Sequence, residues 1–388
     1  MQQPAIVFGM NSMFAVRHFL PATLEMARGR GFRVIVIAPP GDSIPGIEFR
    51  QVALKREISL FCDLRALWQM WMLLRSIRPA VTSVSTPKMG LIGGLAAWLA
   101  HVPHRIYTLR GLRYETTRGW KRALLTACEW AACKCAHLLI CISKSVRDAA
   151  VRDGIVDDSQ AVLLGETASE GISLKPRVSS QGGELGFPAG TRVIGFVGRL
   201  TKDKGIHELI EAFRILRGAG MDVRLLLLGE FEAGDPVHPE TSNFIRADPA
   251  IRWLGYVPDP GPYYHHMDVF VLPTYREGLP TVLLEAAAAG KPVVSTRTTG
   301  VVDVVLDGVT GLLVPPRDAS SLARAIRRLL DNQALAIQMG CRARRLIEEQ
   351  FDSSIYLNRL GALLETHLRM GLPVARCLAS HAHKPVAG

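Results

Sequence analysis

The chain has 388 residues, of which 48% are apolar and 21% charged. This apolar content is sufficient to offset the ordering entropy of two domain-sized cores, which excludes an intrinsically disordered protein. The 35 Gly and 23 Pro residues follow no period, which excludes a collagen-like or other fibrous chain.

The positive charge is concentrated in the first part of the chain. The net charge is +11, and residues 1–170 hold 21 Lys and Arg against 13 Asp and Glu. A basic surface attracts nucleic acid, anionic lipid headgroups or phosphorylated substrates. No nucleic-acid motif with interleaved aromatic residues accompanies this charge. Charge alone therefore does not choose among the partners.

The cysteines favour a reduced, cytoplasmic protein. There are seven, an odd number, and the start of the chain lacks the basic region of a signal peptide. Four of them cluster in sequence, at Cys128, Cys133, Cys135 and Cys141. Free cysteine packs as a small hydrophobe, so we predict that this cluster belongs to the core rather than to a metal site.

Residues 1–165 alternate between strand-like apolar runs and helical patterns. The predicted strands are 5–10, 33–39, 80–86, 105–110 and 137–143, and residues 14–30 are predicted to be helical.

The segment Leu60–Ile77 has two interpretations. Trp68 and Trp71 occur there among leucines, interspersed with Arg65 and Arg75. Tryptophan and arginine on an amphipathic helix are typical of a helix lying in a membrane interface. A core helix packed on a sheet explains the same pattern and is the favoured interpretation. No transmembrane helix is predicted, because residues 89–100 are shorter than the roughly 20 residues that a bilayer requires and residues 123–142 carry Glu129 and Lys134.

A second alternation follows a stretch rich in Gly, Ser and Pro at residues 165–190. Its predicted strands are 192–197, 223–228, 251–257, 269–272 and 292–295, and its predicted helices are 206–216, 279–289, 319–330, Gln333–Gln350 and 352–369. The two alternations predict an α/β protein with two Rossmann-like domains, each with a doubly wound parallel sheet, facing a cleft that binds ligand. The expected limits are 1–170 and 171–352. Residues 353–388 are expected to form a helix packing back towards the first domain and a frayed tail.

A phosphate-binding site is indicated where the first strand of the second alternation ends. Gly198 and Arg199 follow that strand directly, and Lys204 precedes the next helix. Backbone N–H groups, a helix N-terminus and cationic side chains together suit a diphosphate. A glycine turn used only for packing explains the glycine pattern equally well when this segment is considered alone.

Two carboxylates lie further along the chain, at Glu277 and Glu285. Glu277 follows the predicted strand 269–272, whereas Glu285 is placed two turns into the next helix, where it can accept hydrogen bonds from a diol such as ribose. Gly278 and Leu279 offer free N–H groups at the helix N-terminus, and Pro280 suits its first turn.

At this point the sequence resembles a known family. The phrases VGRLTKDKG, EGLPTVLLEA and DGVTGLLVPPRD look like the donor domain of family 4 retaining glycosyltransferases, which have the GT-B fold. STPKMGLIGGLAA and VPHRIYTLRGLRYE in the first half are similar to bacterial capsule, O-antigen and lipid-linked glycan assembly transferases.

The resemblance implies a role for each matching residue. Arg199 and Lys204 would stabilise the leaving diphosphate and, with Glu277 at the donor sugar, form the catalytic set. The remaining implied donor-binding residues are Gly9, Gly198, Val257 beside the base, Gly278 and Leu279 through their N–H groups, and Glu285 on the ribose. Asn11, Ser12 and Arg110 are candidates on the acceptor side.

The resemblance also implies the reaction. A sugar would pass from a nucleotide sugar, UDP-hexose or UDP-N-acetylhexosamine, to a lipid-linked saccharide with retention of configuration. The expected location is the cytoplasm, peripherally at the inner face of the plasma membrane, and nucleic acid is not an expected partner. No Asp-x-Asp metal motif occurs in the sequence, so we expect no metal and no cofactor. A GT-B sugar-nucleotide epimerase and an inactive nucleotide-sugar-binding scaffold are the alternatives.

Three positions depart from the family pattern. Arg110 stands where relatives often carry His; it would contact the sugar, bind a substrate phosphate or form a salt bridge. The usual Asn-Gly-Ile-Asp at the domain junction reads Glu170-Gly171-Ile172-Ser173. Asp303 replaces a Glu near the donor, and a shorter carboxylate there could alter donor placement.

Overall fold

A computed structural model of the protein describes residues 3–41, 44–54, 59–165, 185–188 and 190–370. The chain divides into two compact units. Unit 1 consists of Met1–Glu170 and Ser353–Gly388, and unit 2 of Gly171–Asp352.

Unit 1 is built on a seven-stranded parallel sheet with the order β3-β2-β1-β4-β5-β6-β7. The strands are β1 (Ala5–Gly9), β2 (Arg33–Ala38), β3 (Glu48–Gln51), β4 (Val81–Ser85), β5 (His104–Leu109), β6 (Leu138–Cys141) and β7 (Ala161–Val162). The helices are α1 (Met13–Phe19), α2 (Pro21–Gly29), α3 (Leu60–Ile77), α4 (Pro87–Leu99), α5 (Gly119–Cys135) and α6 (Lys144–Arg152), with 3₁₀ turns at Arg113–Thr116 and Asp158–Gln160.

Unit 2 contains a six-stranded parallel sheet with the order β10-β9-β8-β11-β12-β13. The strands are β8 (Arg192–Val197), β9 (Val223–Leu228), β10 (Ile251–Trp253), β11 (Val269–Leu272), β12 (Val293–Thr296) and β13 (Gly311–Val314). The helices are α7 (Ile206–Gly218), α8 (Pro239–Ala247), α9 (Gly261–Tyr264), α10 (Thr281–Ala288), α11 (Ala319–Asp331) and α12 (Gln333–Gln350).

Both sheets follow the Rossmann order, so the predicted fold class is confirmed. In each sheet the strand order reverses beside the first strand, between β1 and β4 in unit 1 and between β8 and β11 in unit 2. Loops leaving the carboxyl ends of two such neighbours run in opposite directions and leave a crevice between them. Each unit therefore has one position on its sheet that is suited to binding a ligand.

The last helix, α13 (Ser353–Met370), belongs to unit 1 although it follows unit 2 in the sequence. Tyr356, Leu360 and Leu364 are buried in the core that α1 and α2 share with the sheet. Arg30 Nη1 lies 2.8 Å from Glu365 Oε1 across the α2–α13 contact. The apolar residues of α13 recur every four positions, as one helix face requires.

Several elements differ from the sequence expectation. The predicted helix 14–30 is two helices, because Pro21 has no N–H to continue the first and instead begins the second. Strand β3 was not predicted, since its sequence EFRQ is a polar edge strand with no apolar run. The predicted strand 251–257 ends at Trp253. Strands β7 and β13 are too short for their periodicity to register.

The prediction that the cysteine cluster belongs to the core is confirmed for two of its four members. Cys133 and Cys141 are buried, Cys128 and Cys135 are half-buried, and all four are free thiols. Burial raises the pKa of Cys141 to about 12, so this thiol stays protonated and packs as a hydrophobe. Of the helices that the structure describes, none combines the length and hydropathy needed to cross a bilayer.

Among the described residues of unit 1, one carboxyl group is buried in the interior. Glu129 of α5 is 3% exposed, and Tyr107 of β5 donates a 2.5 Å hydrogen bond to its Oε1. Burial raises the pKa of Glu129 to about 7, although the Tyr107 hydrogen bond and the charge of Arg113 act in the opposite direction. The carboxyl is therefore held largely protonated below neutral pH.

This pKa predicts a pH-dependent stability. An acid whose pKa rises from 4.5 to about 7 on folding favours the folded state fully below pH 4.5, and this contribution is lost as the pH rises through 7. Between pH 5 and pH 8 the free energy of unfolding of the wild type should fall by about 2–3 kcal/mol relative to Glu129→Gln. Urea titrations followed by tryptophan fluorescence measure this difference. Glu25→Gln, at an exposed position of α2, is the control; a constant difference between the wild type and Glu129→Gln would contradict the assignment.

Candidate active site

Lys204 and Glu277 meet at the point where the strand order of unit 2 reverses. Lys204 lies in the loop after β8 and Glu277 in the loop after β11, 73 residues apart. The Lys204 Nζ donates a hydrogen bond to Glu277 Oε1, and the two side chains are only 19% and 13% exposed. A cation and a carboxylate that are largely withdrawn from water therefore mark this crevice.

Asp203 ties the same two loops together. Its backbone carbonyl accepts hydrogen bonds from the Tyr275 amide at 2.8 Å and from the buried Thr274 hydroxyl at 3.1 Å. Its carboxylate accepts from Arg276 Nε at 3.1 Å. The contacts on both sides of Lys204 and Glu277 hold the ion pair in one geometry, as a preorganised site requires.

Two glycines allow the backbones around the ion pair to approach closely. Gly205 has φ +70° and caps α7; a Cβ there would lie 2.0 Å from the Pro273 carbonyl. Gly300 has φ +78°, and its Cβ would lie 2.5 Å from the Gly278 carbonyl. Because side-chain-bearing residues fit neither the dihedral angle nor the space, glycine is required at both positions.

The structure pairs Arg199 with a residue that sequence reasoning missed. Arg199 is 55% exposed and donates a hydrogen bond to Glu232, which is 15% exposed and lies in the loop after β9. Leu200 bridges to Phe231 in the same region. The only sequence signal for Glu232 is its position in the loop between β9 and α8, which does not distinguish it from other loop carboxylates. Arg199 thus lies over the carboxyl ends of β8 and β9.

Glu285 is held by a tyrosine. The Tyr264 hydroxyl donates a 2.8 Å hydrogen bond to Glu285 Oε2, and the ring is almost fully buried. Burial, reinforced by the negative charge of Glu285, raises the pKa of Tyr264, so the phenol remains a donor. The helix α10 begins at Thr281 with Pro280 as its N-cap. The placement of Glu285 two turns into the helix was therefore wrong, since it lies one turn in, and Pro280 precedes the first turn.

Val257 lies in the loop after β10, the outer strand of the sheet, and is half-buried. The neighbouring Tyr256 amide donates to Glu230 Oε1 at 3.1 Å. The Trp253 Nε1 donates to the Gly229 carbonyl at 2.8 Å. These bonds fix the loop against the end of β9. Glu230 was not predicted either, because its position after β9 does not distinguish it from other loop carboxylates.

Gly278 and Leu279 continue the loop from Glu277. Leu279 is buried and Gly278 half-buried, and the Glu277 amide donates to the Thr299 carbonyl at 3.2 Å. Gly198 directly follows β8, and its amide donates to the Leu228 carbonyl at 2.9 Å. Asp303 lies in the turn that follows Gly300. The predicted donor-side residues other than Gly9 are therefore distributed along the carboxyl edge of this sheet.

The other predicted residues lie in unit 1. Gly9 ends β1 and is buried, and Asn11 follows it. The hydroxyl of Ser12 caps α1, accepting the Ala15 amide at 3.1 Å. The guanidinium of Arg110, which follows β5, stacks 4.8 Å from the ring centroid of Phe19. These residues share the carboxyl edge of the unit 1 sheet.

Two neighbouring features complete the comparison with the sequence. His101 and His104 precede Arg110 in the chain but lie at the amino end of β5, the opposite end of the strand. His104 is the first residue of the strand. The junction Glu170-Gly171-Ile172-Ser173 and the tail 371–388 lie outside the described residues. Among the residues that are described, no three His, Cys, Asp or Glu side chains converge as metal ligands.

The fold and the sequence relationships agree on the class of protein. A family model described as "Glycosyl transferase 4-like domain" matches residues 16–165, and one described as "Glycosyl transferases group 1" matches residues 191–332. HepE from Anabaena, solved with UDP-glucose, superimposes with a TM-score of 0.73 at 18% identity, over 93% of this chain and 99% of its own. The fold class is therefore GT-B.

The chain belongs to the family 4 glycosyltransferases. It is 34% identical over 353 residues to the capsular polysaccharide biosynthesis glycosyltransferase CapM of Staphylococcus aureus, covering 89% of this chain and 93% of that protein. It is 26% identical over 301 residues to an Escherichia coli enzyme named UDP-Gal:alpha-D-GlcNAc-diphosphoundecaprenol alpha-1,3-galactosyltransferase, covering 74% and 76%.

A double-mutant cycle measures the coupling of Lys204 to Glu277. Each single change, Lys204→Met or Glu277→Gln, leaves the other side chain poorly solvated, so the double variant should be more stable than the sum of the single effects by about 1–3 kcal/mol. Urea unfolding followed by circular dichroism gives these values. The control pair Arg327–Asp331 is more than half exposed and should couple by less than about 0.5 kcal/mol. Equal coupling in both pairs would contradict the described site.

Proposed function

We propose that the protein transfers a hexose or N-acetylhexosamine from a UDP-sugar to a lipid-linked saccharide. The proposed reaction retains the anomeric configuration, needs no metal or cofactor, and belongs to bacterial surface polysaccharide synthesis. The observation that carries the proposal is the Lys204–Glu277 pair at the strand reversal of unit 2. It combines the cation required by a leaving diphosphate with a carboxylate suited to sugar hydroxyls.

Charge stabilisation accounts for the proposed roles of the two cations. Glycosyl transfer passes through an oxocarbenium-like state while negative charge grows on the leaving diphosphate. Lys204 is largely withdrawn from water, where its field is stronger than at a solvated surface. Arg199 is more exposed and would reach the phosphates by exchanging its contact with Glu232. The proposed catalytic residues are therefore Lys204, Arg199 and Glu277.

The donor proposal rests on two relatives and on Glu285. The Anabaena structure contains UDP-glucose, and the name of the E. coli relative gives UDP-Gal as its donor. Tyr264 fixes Oε2 of Glu285, and a carboxylate held in this way is suited to accept from the ribose hydroxyls. In this proposal the backbone at Val257 contacts the base. The backbone of the donor-binding residues Gly9, Gly198, Gly278 and Leu279 lies close to the donor.

The acceptor proposal places the lipid-linked saccharide on unit 1. The name of the E. coli relative specifies a diphosphoundecaprenol-linked acceptor. Arg110 carries a permanent charge at the carboxyl edge of the unit 1 sheet, beside the ring of Phe19. Of its three interpretations, we propose that it binds a phosphate of the acceptor, with Asn11 and Ser12 on the same edge. The enzyme would then work in the cytoplasm, at the inner face of the plasma membrane.

Transfer is favoured over the two alternative functions. The relationship to CapM covers nearly the whole of both chains, and Lys204, Glu277 and Glu285 are all present, which argues against an epimerase. An inactive scaffold would bind the donor without transferring the sugar, so the assay with purified protein separates it from the enzyme.

The test uses the purified full chain in buffer with EDTA. Nucleotide sugars are first scored for thermal stabilisation, because a ligand that binds the folded state raises its apparent stability. The stabilising donor is then given with an undecaprenyl-diphosphate-linked saccharide, and NMR reads the anomeric configuration of the product. We expect a UDP-sugar to raise the melting temperature of the protein. We also expect the new glycosidic bond to keep the axial anomeric configuration of the donor. Failure of every nucleotide sugar to stabilise would refute the donor proposal, and activity only with added metal would refute metal independence.

Two substitutions test the catalytic roles. Lys204→Ala and Glu277→Gln should each lower kcat by roughly 10²–10³-fold, the loss typical of a major charge-stabilising group. Initial rates with saturating donor measure the effect. The control Arg344→Ala changes an exposed arginine of α12, paired with Glu348, and should keep the wild-type rate. Near-wild-type rates in a folded Lys204→Ala protein would remove Lys204 from the reaction.

A further inference from the structure

The solvent side of α3 is apolar. Ala66, Met70 and Leu74 are buried on one side of this helix. The opposite side carries Leu60, Phe61, Leu64, Trp68 and Met72, whose exposures range from 48% to 79%. The recurrence of 60, 64, 68 and 72 places them in one stripe. A helix packed on a soluble core normally has a polar outer side, so this stripe needs a partner.

The helix α5 repeats this feature. Trp120 is 72% exposed, and Leu124 and Trp130 are about half exposed. The same helix buries Glu129, Ala132 and Cys133 against the unit. The outer side of α5 is therefore also aromatic and aliphatic, although a different side of the helix packs against the core.

Close packing on α4 brings these two helices into one layer. The helix α4 contacts both α3 and α5. A Cβ at Gly93 would lie 3.2 Å from Met70 of α3, and a Cβ at Gly94 would lie 3.4 Å from Cys135 of α5. The last turn of α4 adds the exposed Trp98 and Leu99. We refer to the outer sides of α3 and α5, with Trp98 and Leu99, as the aromatic face.

Tryptophan and positive charge are both concentrated there. Of the six tryptophans in the chain, five lie in α3, α4 and α5. Residues 60–78 and 113–135 together hold eight Lys and Arg against three Asp and Glu, one of which is the buried Glu129. Lys121 and Lys134 lie 6.0 Å from the ring centroids of Trp120 and Trp130. Tryptophan prefers the membrane interface, and lysine beside it reaches lipid phosphates.

We infer that the aromatic face is a docking surface for a bilayer containing anionic phospholipid. Exposed aromatic side chains enter the interface, and the surrounding Arg and Lys side chains bind the headgroups. Large apolar patches on a monomer mark interaction sites. The excess of positive charge selects a negatively charged lipid surface over an uncharged apolar groove of another protein.

The topology of unit 1 gives this surface a use, which rests on the proposed function. The helix α3 leads into β4 and α5 leaves β5. Their N-terminal ends, with Phe61 and Trp120, thus lie at the carboxyl edge of the sheet, as does Arg110. The aromatic face runs from this edge to Trp98 and Leu99 at the other end of the sheet. Docking of its Phe61 and Trp120 end would hold the proposed acceptor-side residues next to the headgroup layer, where a diphosphate on a membrane-anchored lipid is found.

The test uses the full chain and sedimented vesicles of phosphatidylglycerol and phosphatidylethanolamine, with pure phosphatidylcholine for comparison. We expect binding to the anionic vesicles, a blue shift of tryptophan emission, and weakening by salt. Leu64→Gln with Trp68→Gln should lower the partition coefficient at least about tenfold. Lys121→Glu with Arg122→Glu should lower it similarly and abolish the preference for anionic lipid.

The control is Ile337→Gln, which changes an aliphatic side chain of α12 that is 57% exposed, and it should bind as the wild type does. Circular dichroism verifies folding, and transfer to an acceptor without a lipid tail should be unchanged in the α3 variant. Binding of vesicles without binding of any sugar nucleotide would refute the proposed function and keep the docking surface. The inference is overturned if the wild type stays in the supernatant. It is also overturned if the Leu64→Gln, Trp68→Gln variant binds the vesicles like the wild type. A third contrary result would be that these substitutions abolish only self-association of the protein, measured by sedimentation velocity.

Discussion

The pairing of Lys204 with Glu277 is the interaction on which the site in unit 2 depends. Two loops must leave neighbouring strands in opposite directions for these side chains to meet, and the strand reversal between β8 and β11 provides that arrangement. Asp203 and Thr274 then hold the loops together. A cation that is partly desolvated but already neutralised is stable in the absence of substrate, and an arriving phosphate can share its charge.

The two units use the same sheet order for different surroundings. In unit 2 the carboxyl edge is lined by charged groups paired with one another, at Lys204 with Glu277 and at Arg199 with Glu232. In unit 1 the corresponding edge has a stacked arginine, Arg110 on Phe19, next to helices with apolar outer sides. The proposed function assigns the diphosphate donor to unit 2 and the lipid-linked acceptor to unit 1, and it would use this difference.

The buried Glu129–Tyr107 pair shows that unit 1 tolerates a polar group beneath α5. The carboxyl is kept largely neutral by burial, and its hydrogen bond with Tyr107 joins α5 to β5. The helix α5 also supplies part of the aromatic face. Its hydrogen bond to β5 fixes which side of the helix faces the core, so the apolar outer side stays turned to solvent.

The sequence by itself determined the fold class and placed the proposed donor-side residues in the second domain. Alternating apolar runs fix the two doubly wound sheets, and the spacing of Gly198, Lys204, Glu277 and Glu285 follows from where strands end and helices begin. It did not determine the edge strands β3 and β7 or the break at Pro21, because short polar segments carry little periodicity. Only the tertiary structure decided that Glu232 and Glu230 join the site, since their partners lie more than 25 residues away. It also decided the outer side of α3: periodicity identifies an apolar helix, but which of its sides is left uncovered depends on how α4 packs against it.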